Sequence, residues 1–187
     1  MPLFILIGLY TGRRKEAILS LRWPQIDLRA RLIDFEIDGR ARTKKRRGKV
    51  PIPDRLLPHL ERARRRGSDL GPVLHINGWP IGNIKKGFAG ACVRAGLVTW
   101  KKVQEATIDG APCSFVRPVA TVTPHVLRHT AASWLMQSGT PVLEAARYLS
   151  MSEKTLVTTY GHHHPDWLRG AANAIGRYQE PRRRIGA

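Results

Sequence analysis

Three short clusters hold the side chains able to do chemistry. Arg14 heads a run in which Ala17, Ile18 and Leu21 share one helical face. A cation placed there is partly buried and lies at the positive end of a helix dipole. It calls for an anion, either a carboxylate elsewhere in the chain or a bound phosphate. His125 and Arg128 stand at i and i+3, so they share a face in the first turn of a helix. Arginine offers a planar fork matched to phosphate oxygens, and histidine exchanges a proton near neutral pH. The plainer reading is a surface pair on an amphipathic helix, with His129 as a structural neighbour. Tyr160 follows a short helical segment and precedes Gly161. A tyrosine there is most often an apolar cap with its hydroxyl in water. Nearby cations that favour the phenolate would make it a nucleophile.

Two further patterns are less specific. Lys44 lies within Arg42-Thr43-Lys44-Lys45-Arg46-Arg47. Most of these charges suit a solvated loop that follows phosphates. One lysine held on a strand could instead donate a proton inside a site, and the charge run does not select which. His162, His163 and His164 are consecutive. Adjacent side chains point different ways and no carboxylate–histidine pattern accompanies them, so they do not read as a metal site.

These residues need elements to hold them. The apolar run 1–10 reads as a buried helix that stops at Thr11-Gly12, and 14–21 as a second helix stopped by Trp23-Pro24. Residues 32–37 alternate as a half-buried strand does. The segment 40–49 carries seven basic residues in ten and precedes Val50-Pro51-Ile52-Pro53, as a basic hairpin tip between short strands would. Residues 55–66 form a basic amphipathic helix, 73–76 a short strand, Gly78-Trp79-Pro80 a turn, and 84–95 a helix closed by Gly96. The stretch 97–122, with Pro112, Pro118 and Gly110, reads as irregular. Thr123-Pro124 opens a helix with Thr as its cap and Leu127, Ala131, Trp134 and Leu135 as its core stripe. Gly139 ends it, and Thr140-Pro141 starts another that runs to about Leu149. Ser150 to Glu153 has capping-box spacing and starts a third, ending near Tyr160-Gly161. A last short helix over 167–177 precedes a basic tail, Arg182-Arg183-Arg184.

Composition narrows the partners. The chain has 187 residues, enough for one compact domain with a core, plus a short tail. Lys and Arg number 32 against 14 Asp and Glu, a formal net charge of +18. Such a charge opposes compaction and answers a polyanion, nucleic acid first and an acidic membrane surface second. The two cysteines, Cys92 and Cys113, have no ligand-like spacing. They suggest neither a disulfide scaffold nor a structural zinc site, and a reducing cytoplasm as the setting. Residues 1–10 are too short to span a membrane and lack the basic start of an export signal. Their abrupt opening suggests a chain that begins inside a larger protein.

The order of the pieces carries more than any one of them. Thr11-Gly12-Arg13-Arg14 is followed by Thr43-Lys44, then by His125-Val126-Leu127-Arg128-His129-Thr130. Leu149-Ser150-Met151-Ser152 comes next, and then Tyr160. This resembles the catalytic domain of the tyrosine recombinase, or phage integrase, family over nearly the whole chain. The His-x-x-Arg-His-Thr motif with a tyrosine about thirty residues later is specific, and the Thr-Gly-x-Arg…Leu-x-Trp start and the Ser138-Gly139 turn fit as well. The resemblance implies a mainly helical, α+β domain with a small three-stranded antiparallel sheet. Its implied extent is a catalytic domain over 1–178, N-terminally truncated and without the family's core-binding domain, and a basic tail over 179–187. Matched by position, Arg14, Lys44, His125, Arg128 and Tyr160 take the family's catalytic roles, with Lys45 a competitor of Lys44. Lys45, Arg46, Arg47, His129, Met151 and His162 are candidates for DNA contact.

The implied reaction is DNA breakage and rejoining through a 3′-phosphotyrosyl link and a free 5′-hydroxyl. It needs no metal or nucleotide cofactor, and the sequence has no phosphate-binding glycine loop and no carboxylate cluster for magnesium. The implied partners are double-stranded DNA and further copies of the chain, a tetramer on DNA, and no membrane. Two positions depart from the family pattern. Met151 stands where the family usually has His or Trp, and a thioether donates no hydrogen bond; His162 is a possible substitute. Ala17 stands where an acidic residue is common, with Glu16 adjacent but aimed elsewhere. Two alternatives follow: a DNA-binding remnant without catalysis, and a topoisomerase-like relaxing activity.

Overall fold

The apolar run at the N-terminus winds into α1 (Pro2–Thr11), with Pro2 in the first turn, where a missing N–H costs nothing. Phe4 and Ile7 are fully buried along it. Gly12 closes the helix in the left-handed region, φ 60°, and returns its N–H to Gly8 O at 2.9 Å. The structure, a computed structural model, describes residues 1–36, 48–66, 70–108 and 111–177, the side chains of 103–115 excepted. Lys44, Lys45, Arg46, Arg47 and the tail 179–187 lie outside the described residues.

Arg14 then caps α2 (Lys15–Leu19), which buries Ala17 and Ile18 and is only five residues long. A tight turn at Trp23–Gln25 leads into β1 (Ile26–Asp27), β2 (Leu32–Asp34) and β3 (Lys49–Pro51). These make the expected three-stranded antiparallel sheet in the order β1-β2-β3. Ile33 faces Ile26 on one side and Val50 on the other, and all three are buried, which fixes the register. α3 (Leu57–Arg64) packs Leu60 inward. β4 (His75–Ile76) and β5 (Trp79–Pro80) form a small hairpin, so Trp79 and Pro80, read from the sequence as part of a turn, are strand. The turn itself is Asn77-Gly78, both at positive φ. α4 (Lys85–Arg94) buries Phe88 and Cys92.

The stretch 97–122 corrects the sequence reading. It is a long antiparallel hairpin, β6 (Val98–Ile108) against β7 (Ala111–Ala120). Pro112 and Pro118 look like breakers, yet a two-stranded hairpin consists of edges, where a proline's missing N–H is tolerated.

Four helices follow: α5 (Val126–Gln137), α6 (Val142–Leu149), α7 (Glu153–Tyr160) and α8 (Arg169–Gly176). Three details differ from the sequence reading. α5 begins after a tight turn in which Val126 N donates to Thr123 O at 3.0 Å, so His125 rather than Thr123 occupies the cap position. Trp134 is half exposed, and the buried stripe is Leu127, Arg128, Ala131, Ala132 and Met136. The cap of α7 is Ser152, whose Oγ accepts from Thr155 N at 3.1 Å; Ser150, two residues earlier, instead ends α6 in the left-handed region at φ 48°. No helix among the described residues is long and apolar enough to cross a membrane.

Two apolar cores result. The larger joins α1 to α4, the three-stranded sheet and Leu127; the smaller joins α5, α6 and α7 around Ala132, Leu149 and Leu156. Gly12 lies where they meet. A Cβ there would collide with Leu149 Cδ2 and crowd Ala131, in a backbone conformation that L side chains rarely adopt. Gly12→Ala is therefore expected to destabilise the fold by roughly 2–4 kcal/mol, from the left-handed penalty plus overpacking. A urea midpoint that stays at the wild-type value would contradict this packing.

Candidate active site

The junction of the two cores is held by a buried cation. Arg128, 3% exposed, donates from Nη1 to Gly12 O at 2.6 Å and to Leu149 O at 2.7 Å. Its Nη2 reaches Ser150 O at 3.5 Å. One side chain of α5 thus ties the ends of α1 and α6 together. The carbonyl partners stabilise a charge that no apolar core would hold unpaired. Burial and the neighbouring charge of Arg14 lower its pKa to about 10, and Tyr160 opposes that shift; the group stays charged at neutral pH.

Tyr160 ends α7, is buried in the smaller core, and has its hydroxyl 2.5 Å from His129 Nδ1. Burial raises the phenol's pKa and the charge of Arg128 lowers it, with burial the larger effect. The phenol is accordingly protonated at neutral pH and has a histidine ring nitrogen at hydrogen-bond distance. The His125 ring meets the His129 ring edge-on at 4.6 Å. Desolvation, then His129, Arg128 and Arg14, lower the pKa of His125, so its imidazole is neutral at pH 7. His129 is the sequence reading's structural neighbour, and its direct partner here is the Tyr160 hydroxyl.

A cleft of about 470 Å³ opens beside this group, with Arg14, His125 and Arg128 on its wall. Its other basic side chains are Arg13, Lys15 and Lys85, against a single carboxylate, Glu16, which pairs with Lys15 at 3.1 Å. Arg14 is half-buried, and its side chain has no hydrogen bond or ion pair among the described residues. An excess of fixed cations in a partly desolvated cleft suits a phosphodiester and disfavours a neutral ligand.

The structure brings Arg14, His125, Arg128, His129 and Tyr160 to one place. Met151 is half-buried against the apolar side chains of α5 to α7, away from any donor role. His162 is exposed and packs on His163, ring centroids 4.0 Å apart, rather than on the arginines. Among the described residues no group of three or more His, Cys, Asp or Glu side chains could hold a metal ion. Sequence reasoning passed over Arg13. It is 4% exposed, donates from Nη1 to Ser150 Oγ, and lies over the Phe35 ring at 5.1 Å. The available signal was the doubled arginine in Thr-Gly-Arg-Arg. Tyr148, a rival nucleophile by type, is committed elsewhere. Its hydroxyl donates to Tyr10 O at 2.8 Å, and burial pushes its pKa up to about 12.

The fold is that of tyrosine recombinase and integrase catalytic domains. The Tn1549 transposon integrase, solved in complex with transposon right-end DNA, superimposes with a TM-score of 0.62 at 20% identity, covering 92% of this chain and 57% of that one. The catalytic domain of bacteriophage HP1 integrase gives 0.53 at 23% identity, covering 91% and 79%. The XerA recombinase gives 0.59 at 20% identity, covering 92% and 55%. No family model matches the sequence. A curated protein of Pseudomonas syringae, named as a tyrosine recombinase, XerC, is 30% identical over 177 residues, 91% of this chain. The chain spans 34% of that relative's length. Sequence match and fold point the same way: 91% of this chain is similar to a tyrosine recombinase, and its fold is that of tyrosine recombinase and integrase catalytic domains.

Proposed function

We propose that the chain is the catalytic part of a site-specific DNA recombinase or integrase of a phage or other mobile element. It cuts and rejoins double-stranded DNA through a 3′-phosphotyrosyl intermediate. The observation that carries this is the Tyr160 hydroxyl, 2.5 Å from a histidine nitrogen and within the field of Arg128.

In this reading the scissile phosphate lies in the cationic cleft. Arg14 and Arg128 stabilise the charge that builds on its equatorial oxygens, the kind of preorganised electrostatics that contributes most to such reactions. The Tyr160 oxygen bonds to phosphorus as its proton passes to His129, with the neutral His125 imidazole beside it. The bond from phosphorus to the 5′-oxygen breaks, and Lys44, or Lys45, protonates the departing oxygen. Rejoining reverses each step, so the bond energy is retained and no nucleotide is consumed. Residues 1–178 form this catalytic unit and 179–187 a basic tail. On DNA it works as a tetramer, in the cytoplasm.

Two measurements test this. With a nicked duplex that loses its 5′-hydroxyl fragment after cleavage, the chain is expected to give a covalent protein–DNA adduct on a denaturing gel. A DNA-binding remnant would bind the same duplex and give no adduct. Affinity is expected to fall steeply with salt, with a log–log slope of about −0.9 per phosphate neutralised. Replacing Arg46 and Arg47 together should flatten that slope by about 1.8 units and weaken binding to all sequences alike, because phosphate contacts carry no base information. A salt-independent affinity would contradict phosphate-dominated binding.

A further inference from the structure

We propose that Arg13 is a second buried phosphate-binding guanidinium of this site, supplying the donors that Met151 does not. The proposal rests on the recombinase reading and adds to it a residue outside the matched motif positions. Its Nε and Nη2 are buried and have no hydrogen-bond partner among the described residues. Orphaned guanidinium nitrogens are costly in an interior, and a native structure keeps them where a ligand satisfies them. They belong to a side chain 4% exposed that lies on the wall of the cleft holding Arg14, His125 and Arg128. The side chain is fixed, with Nη1 on Ser150 Oγ and its guanidinium carbon over the Phe35 ring.

Ser150 links this residue to the departure at 151. Arg13 binds its hydroxyl and Arg128 reaches its carbonyl, so two guanidiniums converge on the residue preceding Met151. The Met151 side chain turns to the apolar cluster and donates nothing. Arg13 approaches the same point from α1's end with Nε and Nη2 unpartnered, and a phosphate there pairs with both nitrogens. Burial and the charges of Arg128 and Arg14 lower the Arg13 pKa to about 10, as expected of neighbouring cations that await an anion.

The test compares Arg13→Met, Arg13→Lys, Met151→His and the Arg13→Met/Met151→His double variant in the intact chain. Initial adduct rates on the nicked duplex and urea midpoints are read side by side. Arg13→Met is expected to slow adduct formation roughly ten- to a hundredfold, the range for a hydrogen bond to a charged group. Its urea midpoint should hold or rise, since it removes a buried charge and keeps the side chain's length. A purely structural arginine would behave in the opposite way. Met151→His should accelerate the Arg13→Met chain at least about tenfold more than it accelerates the wild-type chain. Should Arg13→Met fail to fold, Arg13→Lys carries the test: it keeps the charge, loses the fork, and should react about tenfold more slowly, again with rescue by Met151→His. Wild-type rates in both Arg13 variants, or equal gains from Met151→His in both backgrounds, would overturn the role of Arg13 and leave the recombinase reading intact. A wild-type chain that forms no Tyr160-dependent adduct would overturn both.

Discussion

Arg128→Ala is expected to lose the covalent adduct and part of the fold together. The two roles have separate causes. Truncation removes the donor to Gly12 O and Leu149 O, leaving two buried carbonyls without it at the seam between the cores. Each unsatisfied acceptor costs about 1–3 kcal/mol. Release from the repulsion of Arg14 and from the desolvation of a buried charge offsets part of this. A net loss of about 2–4 kcal/mol follows, read as a lower urea midpoint. Adduct formation should fall by at least about 10²–10³-fold, the cost of deleting one preorganised donor at a developing oxyanion. Arg128→Lys separates the roles. It keeps a cation near the carbonyls, so most of the stability survives, but a point charge replaces the planar fork and the adduct rate stays far below wild type. Equal adduct rates in Arg128→Lys and the wild-type chain would mean that Arg128 serves only as a clamp between the cores.

Tyr160→Phe is expected to be inactive and otherwise normal. The ring keeps its place among the side chains of the smaller core, and the one lost interaction is the hydroxyl's contact with His129. A neutral hydrogen bond of that kind contributes about 0.5–1.5 kcal/mol, so the urea midpoint should move little. DNA affinity at fixed salt should be unchanged, because binding is carried by the cationic surface. Adduct formation should vanish, since a phenyl ring has no atom to attack phosphorus. A residual adduct would move the nucleophile elsewhere. Tyr148 is poorly suited, being buried with its hydroxyl committed to Tyr10 O.

Much of this was legible in the residues, and what was not has physical reasons. Gly12 marked the end of α1 and Gly139 the end of α5, because left-handed closures are local signals, and Pro141, at the cap position, marked the start of α6. The sheet was legible from the alternation around Ile33. The β6–β7 hairpin was not. Prolines disqualify a central strand but not an edge, and sequence alone does not say which strands will be edges. The cap of α7 was placed at Ser150 because spacing cannot show that a neighbour of the same type, Ser152, bonds Thr155 N. Trp134 was assigned to the core by its helical phase, but Ala132 and Met136 fill the buried side instead. At the site, motif order selected Arg14, His125, Arg128 and Tyr160, which the fold brings together. The contact of His129 with Tyr160 and the burial of Arg13 against Ser150 join residues 31 and 137 positions apart. Such long-range contacts leave no periodic trace.

The central claim is that Tyr160 Oη becomes the covalent link to DNA, and mapping the phosphorylated residue tests it most directly. Adduct trapped on the nicked duplex would be digested with nuclease and trypsin and its modified peptide sequenced by mass spectrometry. Cleavage after Lys154 and Arg169 isolates residues 155–169, in which Tyr160 is the only tyrosine. The expected result is a nucleotide-bearing peptide 155–169 with the modification on Tyr160. A modified peptide carrying Tyr148 or Tyr178 instead, with 155–169 recovered unmodified, would contradict the assignment of the site.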